Sequence, residues 1–207
     1  MTDVWCGGRR VADAGDLVRR YCGLPWSGGS HETWAWRYFD ELPDLEPDVV
    51  SPVDVLAAGS LHSGLSRADL SFFVDAAEML TGWLSTVSQH TDLATADPNL
   101  VDVVCEMPRL ADGVTLSLLS KVLHRKRPGL VPMFDRALQE QYRVPGGPRG
   151  VAMWHDLVTA IRSDLRDDAN MAAIATIGYD LAAAHLLTPP TGLRILDIAI
   201  WMSSQRL

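Results

Sequence analysis

The chain predicts an all-α protein, and three observations carry that reading. Apolar residues recur at helical spacing in segment after segment, capping residues open those segments, and no alternating strand pattern of useful length appears. The β-branched runs 101–104 and 195–200 suit a buried helix face as well as a strand. At 207 residues and 47% hydrophobic, the chain is long enough to bury one good core, so a single domain is expected.

In order, residues 13–21 place Leu17, Val18 and Tyr21 on one helical face, and Gly23-Leu24-Pro25 ends that helix. Ser27-Gly28-Gly29-Ser30 is a loop whose Ser30 caps a segment with Glu32 in its first turn and the aromatic group Trp34, Trp36, Tyr38 and Phe39. Residues 42–51 hold Pro43, Pro47 and several carboxylates, which predicts an exposed, extended connection. Ser51-Pro52-Val53-Asp54 then supplies a cap, a first-turn proline and an acid at the third helical position, opening a helix to about Leu61. Ser66-Arg67-Ala68-Asp69 repeats that grammar. It opens the longest expected helix, central to the core, with Leu70, Phe73, Ala77, Leu80 and Leu84 at helical spacing.

Asp97-Pro98 opens a helix to about Met107, which Pro108 ends. A loop over 109–113 leads into a helix through the apolar run 116–123 and the cluster His124-Arg125-Lys126-Arg127. Pro128, Gly129 and Pro132 then force an extended link, and Asp135 caps a helix to about Tyr142. Pro145-Gly146-Gly147-Pro148 is the strongest break in the chain; three helices follow, over about 151–166, 169–187 and 192–204. The expected organisation is one domain in two helical lobes, 1–143 and 151–207, separated by 144–150.

Composition narrows the function. A formal net charge of −8 excludes broad attraction to polyanions, so any nucleic-acid contact must be local. Cys6, Cys22 and Cys105 form no CxxC pattern and read as reduced thiols. The histidines at 31, 62, 90, 124, 155 and 185 never fall into a compact ligand spacing, and no phosphate loop, dinucleotide fingerprint or nucleophile elbow is present. No metal and no cofactor is expected. The N-terminus lacks a signal-peptide core, and the longest apolar runs are too short to span a bilayer, so a cytoplasmic protein without a membrane partner is expected.

One stretch gathers chemistry. Lys121, Arg125, Lys126, Arg127, Arg136, Arg143 and Arg149 face only Asp135 and Glu140 within it, making one basic segment in an acidic chain. Such a segment attracts phosphate, and cations at a helix C-terminus equally complement the helix dipole. Asp135 reads both as a helix cap and as a carboxylate able to activate water or stabilise positive charge. Trp34, Trp36, Tyr38 and Phe39 read as core, or as a stacking wall in which Trp36 and Tyr38 meet a planar ligand.

The order Gly113-Val114-Thr115, helix, Lys126-Arg127-Pro128, Val131-Pro132-Met133-Phe134-Asp135 resembles the hairpin-to-aspartate segment of the helix-hairpin-helix DNA glycosylase superfamily. The same segment, with 51–57 and 193–201, resembles an uncharacterised family of actinobacterial proteins that carries no established activity. The first resemblance implies a helix-hairpin-helix-like centre over 98–143, with Gly113 and Thr115 in a phosphate-contacting hairpin. It also implies Asp135 as the carboxylate that assists cleavage of an N-glycosidic bond to a flipped base. Thr115 stands where the second hairpin glycine falls and Ser117 where a nucleophilic lysine falls, so the implied enzyme is monofunctional. The resulting expectation is binding of nucleic acid or a nucleotide-like ligand, with Lys121, Arg125, Lys126 and Arg127 as phosphate contacts. Its rivals are a non-catalytic helical binding module and a small-molecule biosynthetic enzyme.

Overall fold

A computed structural model describes residues 2–25, 36–61, 64–144, 151–184, 186 and 188–205. The loop and cap expected at 27–35, including Trp34, lie outside these residues, as do the whole of the 145–148 break and Arg149.

The architecture is helical, with one small hairpin at its start. Strands β1 (Val4–Cys6) and β2 (Arg9–Val11) pair antiparallel, with Val4 opposite Val11 and Cys6 opposite Arg9. Gly7 and Gly8 turn between them at φ +57° and +71°, the positive values that a two-residue primed turn requires. This hairpin corrects the expectation of no strand. Three-residue strands are too short to register as alternation, although Val4, Cys6 and Val11 are buried on one face around a Gly-Gly pair. The side chain of Asn170 fixes it from the far end of the sequence, accepting from the Trp5 amide at 2.8 Å and donating to the Trp5 carbonyl at 2.7 Å.

Helix α1 (Ala14–Tyr21) follows, then a single π-helical turn, Trp36–Asp40, and helix α2 (Pro52–Ser60). The capping box foreseen at Ser51 and Asp54 forms, and Ser66 with Asp69 forms a second one. The long helix expected after Ser66 is instead two, α3 (Arg67–Asp75) and α4 (Ala77–Ser85), parted at Ala76. Its second half reaches the core through Leu80 and Leu84, and its first half lies at the edge. Phe73 is the only buried residue of α3, and Leu70 and Val74 are exposed.

Helices α5 (Pro98–Cys105), α6 (Leu116–Lys126) and α7 (Arg136–Gln141) carry the middle of the chain, and α8 (Val151–Leu165), α9 (Asp168–Ala183) and α10 (Gly192–Ser204) its end. The centre belongs to α6 and α10, which are buried on nearly every side. Helix α10 packs on α1, α7, α9 and both strands, while α6 packs on α2. No helix of the described residues is long and apolar enough to cross a membrane.

Candidate functional site

Where α6, α7 and α10 converge with the ends of α1 and α2, a cavity of about 240 Å³ opens. Helix α10 supplies Arg194, Asp197, Ile198 and Trp201, spaced 0, 3, 4 and 7 so that one helical face looks onto it. Lys121 comes from mid-α6, Tyr21 from the last residue of α1, and Met133 and Asp135 from the proline-rich link before α7. Thr191 sets the start of α10: its hydroxyl accepts from the Arg194 amide at 3.2 Å and donates to the Pro128 carbonyl at 2.7 Å, tying that helix to the same link.

Arg194 is buried and multiply held. Its Nε and Nη2 donate to the two carboxylate oxygens of Asp40 at 2.7 and 2.8 Å, Nη2 also donates to the Tyr21 hydroxyl at 2.6 Å, and Nη1 donates to Asp197 Oδ2. Asp40 and Asp197 thus share one guanidinium. Asp197 Oδ1 is buried without a hydrogen-bond partner. Burial therefore dominates and lifts the Asp197 carboxyl to about 7, with Arg194 opposing and Asp135 reinforcing.

Lys121 shows the converse. Its Nζ donates to Ser117 Oγ at 2.8 Å, and burial holds its pKa below that of an ordinary lysine, against the upward pull of Asp135 and Asp197. Asp135 is the N-cap of α7, where Oδ1 accepts from the Leu138 amide at 2.9 Å, and the residue also borders the cavity. Capping and a cavity position are compatible, because the cap uses one oxygen.

The cationic cluster is placed differently from a phosphate-binding face. Lys126 and Arg127 are buried and Arg125 has a nearly buried side chain; together they clamp the connection over 42–50. Arg125 pairs with Asp54 at 3.1 Å and also donates to the Phe39 carbonyl. Lys126 pairs with Asp44 at 2.6 Å and Asp54 at 2.8 Å, and Arg127 with Asp48 at 2.6 Å. The open phosphate contacts expected of these three residues are thus replaced by internal ion pairs, because the carboxylates of 44–54 fold back over them. Gly113 takes φ +97° beside Phe72, and the Thr115 hydroxyl caps α6 by accepting from the Leu118 amide at 3.2 Å.

Trp36 is buried and edge-on to Tyr21, with ring centroids 6.1 Å apart, and it borders a second cleft of about 320 Å³ on the other side of Arg194. Tyr38 is 64% exposed and borders neither space. His124 lies in the wall of the second cleft, its Nδ1 2.7 Å from the Val131 carbonyl. A carbonyl only accepts, so Nδ1 carries the proton and Nε2, which has no partner, carries the lone pair. Burial pushes this imidazole down to about 4.

The expectations from sequence thus bring Lys121 and Asp135 to one cavity and leave out its α10 half. Arg194, Asp197 and Trp201 had a signal: opposite charges three residues apart within the otherwise apolar stretch 193–202. Tyr21 had none beyond its place at a helix end. Among the described residues, no group of three or more His, Cys, Asp or Glu side chains is placed to hold a metal ion.

No curated protein and no solved structure matches this chain, and nothing in the comparisons links it to the helix-hairpin-helix glycosylases. One family model does match, over residues 14–204, which takes in every element from α1 to α10 and every residue of the cavity. The chain belongs to that family, a family of unknown function (DUF6308).

Proposed function

We propose that this chain is a small-molecule enzyme that works by acid–base chemistry in the cavity between α6, α7 and α10. The observation that carries the reading is the meeting of Asp197, Asp135 and Lys121 around one cavity, with a carboxyl held near 7 and an amine held low by burial. Asp197 is the proton donor, since a carboxyl of that pKa is about half protonated at neutral pH and can both release and take up a proton there. Asp135 is the second carboxylate, positioned by its cap. Tyr21 and Trp201, edge-on with centroids 6.0 Å apart, form the ring-bearing wall that orients a planar group.

A nucleobase-containing ligand, with Asp135 assisting cleavage of its N-glycosidic bond, is the second reading, and the same ring wall favours it. On that reading the ligand is a base or nucleoside rather than a duplex, because Lys126 and Arg127 are committed to internal ion pairs.

The test is a thermal-shift panel of nucleobases, nucleosides, small carbonyl compounds and one short duplex, followed by turnover assays on whatever binds. Asp197→Asn and Asp135→Asn are expected to retain the shift and to lose turnover by about 10²-fold or more. A shift produced by the duplex alone, and lost with added salt, overturns the proposal in favour of nucleic-acid binding.

A further inference from the structure

Two of the 18 cationic Lys and Arg residues are lysines, Lys121 and Lys126. Both are buried. A guanidinium stays protonated under all ordinary conditions, whereas an amine can shed its proton and become a nucleophile, so these two positions hold the only side-chain amines available for such chemistry. Lys126 is unsuited to it, held between Asp44, Asp54 and the Glu46 carbonyl. Lys121 makes no ion pair among the described residues, hydrogen-bonds to a serine hydroxyl, and faces the cavity.

The cavity also selects. Leu61, Met133, Ile198 and Trp201 give it apolar walls, and the Arg194 guanidinium is already engaged by Asp40, Tyr21 and Asp197. With two carboxyls on the rim and, among the described lining residues, no cation outside an ion pair besides Lys121, an anionic compound finds little welcome. We propose that Lys121 is a covalent site for a small uncharged aldehyde or ketone, its Nζ adding to the carbonyl carbon and forming an imine inside the cavity.

The step balances without any oxidant or reductant. The nitrogen lone pair forms the new C–N bond while the carbonyl π pair moves to oxygen, and a proton passes from nitrogen to that oxygen to give a carbinolamine. Asp197 then protonates the hydroxyl, water leaves, and the nitrogen's remaining proton returns to the carboxylate. One amine and one carbonyl become one imine and one water. This assignment rests on the proposed cavity chemistry and names its nucleophile.

Sodium cyanoborohydride trapping tests it directly, because the intact chain offers just these two lysines and the α-amino group. The protein is incubated near pH 7 with a series running from formaldehyde through propanal and dihydroxyacetone to cyclohexanone, and adducts are located by peptide mass mapping. Labelling is expected at Lys121 at least about tenfold faster than at Lys126, whose ammonium is held by Asp44 and Asp54. Lys121→Arg removes that adduct alone, and Asp197→Asn slows its formation while the far-ultraviolet circular dichroism stays unchanged. Labelling confined to the α-amine, or equal at all three amines across the whole series, overturns the imine. If Lys121 stays unlabelled while turnover still depends on Asp197, the covalent assignment is overturned and the acid–base reading stands.

Discussion

Arg127 shows how far one side chain can be committed. Its Nε donates to the Val87 carbonyl at 2.6 Å, Nη1 to the Pro47 and Lys126 carbonyls at 2.8 Å each, and Nη2 to the Leu84 carbonyl and Asp48 Oδ1 at 2.6 Å each. A planar fork meets five acceptors fixed by three separate stretches of backbone, which a single ammonium cannot reproduce. Arg127→Ala is expected to cost about 3–5 kcal/mol, since it strands buried acceptors, and Arg127→Lys to recover only part of that. Urea denaturation, compared at constant m, measures both. The cluster around this residue was visible in sequence as a run of cations, but its direction was not. The carboxylates that turn it inward lie roughly 80 positions earlier, at Asp44 and Asp48, and no local pattern announces a partner at that distance. Asp197 was hidden for a related reason: its raised proton affinity comes first from burial, which distant parts of the chain create by packing over it.

At the scale of elements, what could be read was what is encoded locally. Ser51 with Asp54, Ser66 with Asp69, Asp97 before Pro98, and Asp135 all cap the helices their short motifs predicted, because a cap needs only three or four consecutive residues. The hairpin and the break at Ala76 escaped because strand pairing and helix interruption are settled by what packs alongside. The link over 128–135 is the element on which the cavity most depends, carrying both Met133 and Asp135. It is seated by Gly129, whose carbonyl accepts from the Leu93 amide at 2.8 Å and whose Cα approaches Thr91 so closely that an added Cβ would stand 2.9 Å from the Thr91 carbonyl oxygen. Gly129→Ala should therefore destabilise the fold by about 1–3 kcal/mol, read as a lowered melting temperature, and weaken ligand binding in the cavity as the link shifts.

For the molecule as a whole, two buried groups impose opposite pH dependences. The folded Asp197 carboxyl is raised to about 7, so the stability it contributes is full below 3.8 and is lost as the pH climbs through 7. The folded His124 imidazole is lowered to about 4, so its contribution is full above 6.5 and is lost as the pH falls through 4. Across the shared window the folded state gains a proton on one group where the unfolded state gains one on the other, and the two slopes cancel. Wild-type stability should be nearly flat between pH 4.5 and 6.5, whereas Asp197→Asn should lose stability on acidification at up to about 1.4 kcal/mol per pH unit. Denaturation at a series of pH values decides this, and an equally flat profile in the variant would remove the assignment of both groups.

The bond between Trp5 and Asn170 also orders events in time. During synthesis the opening residues leave the ribosome long before α9 exists, and the strand they are to form has its side-chain anchors 165 and 157 positions downstream, at Asn170 and Asp164. Local helices such as α2 or α6 can begin to form as they emerge, while the hairpin waits for Asp164 and Asn170 to follow before it is fastened. Closure of the fold is thus a late, long-range step, slower than its helical content alone would lead one to expect.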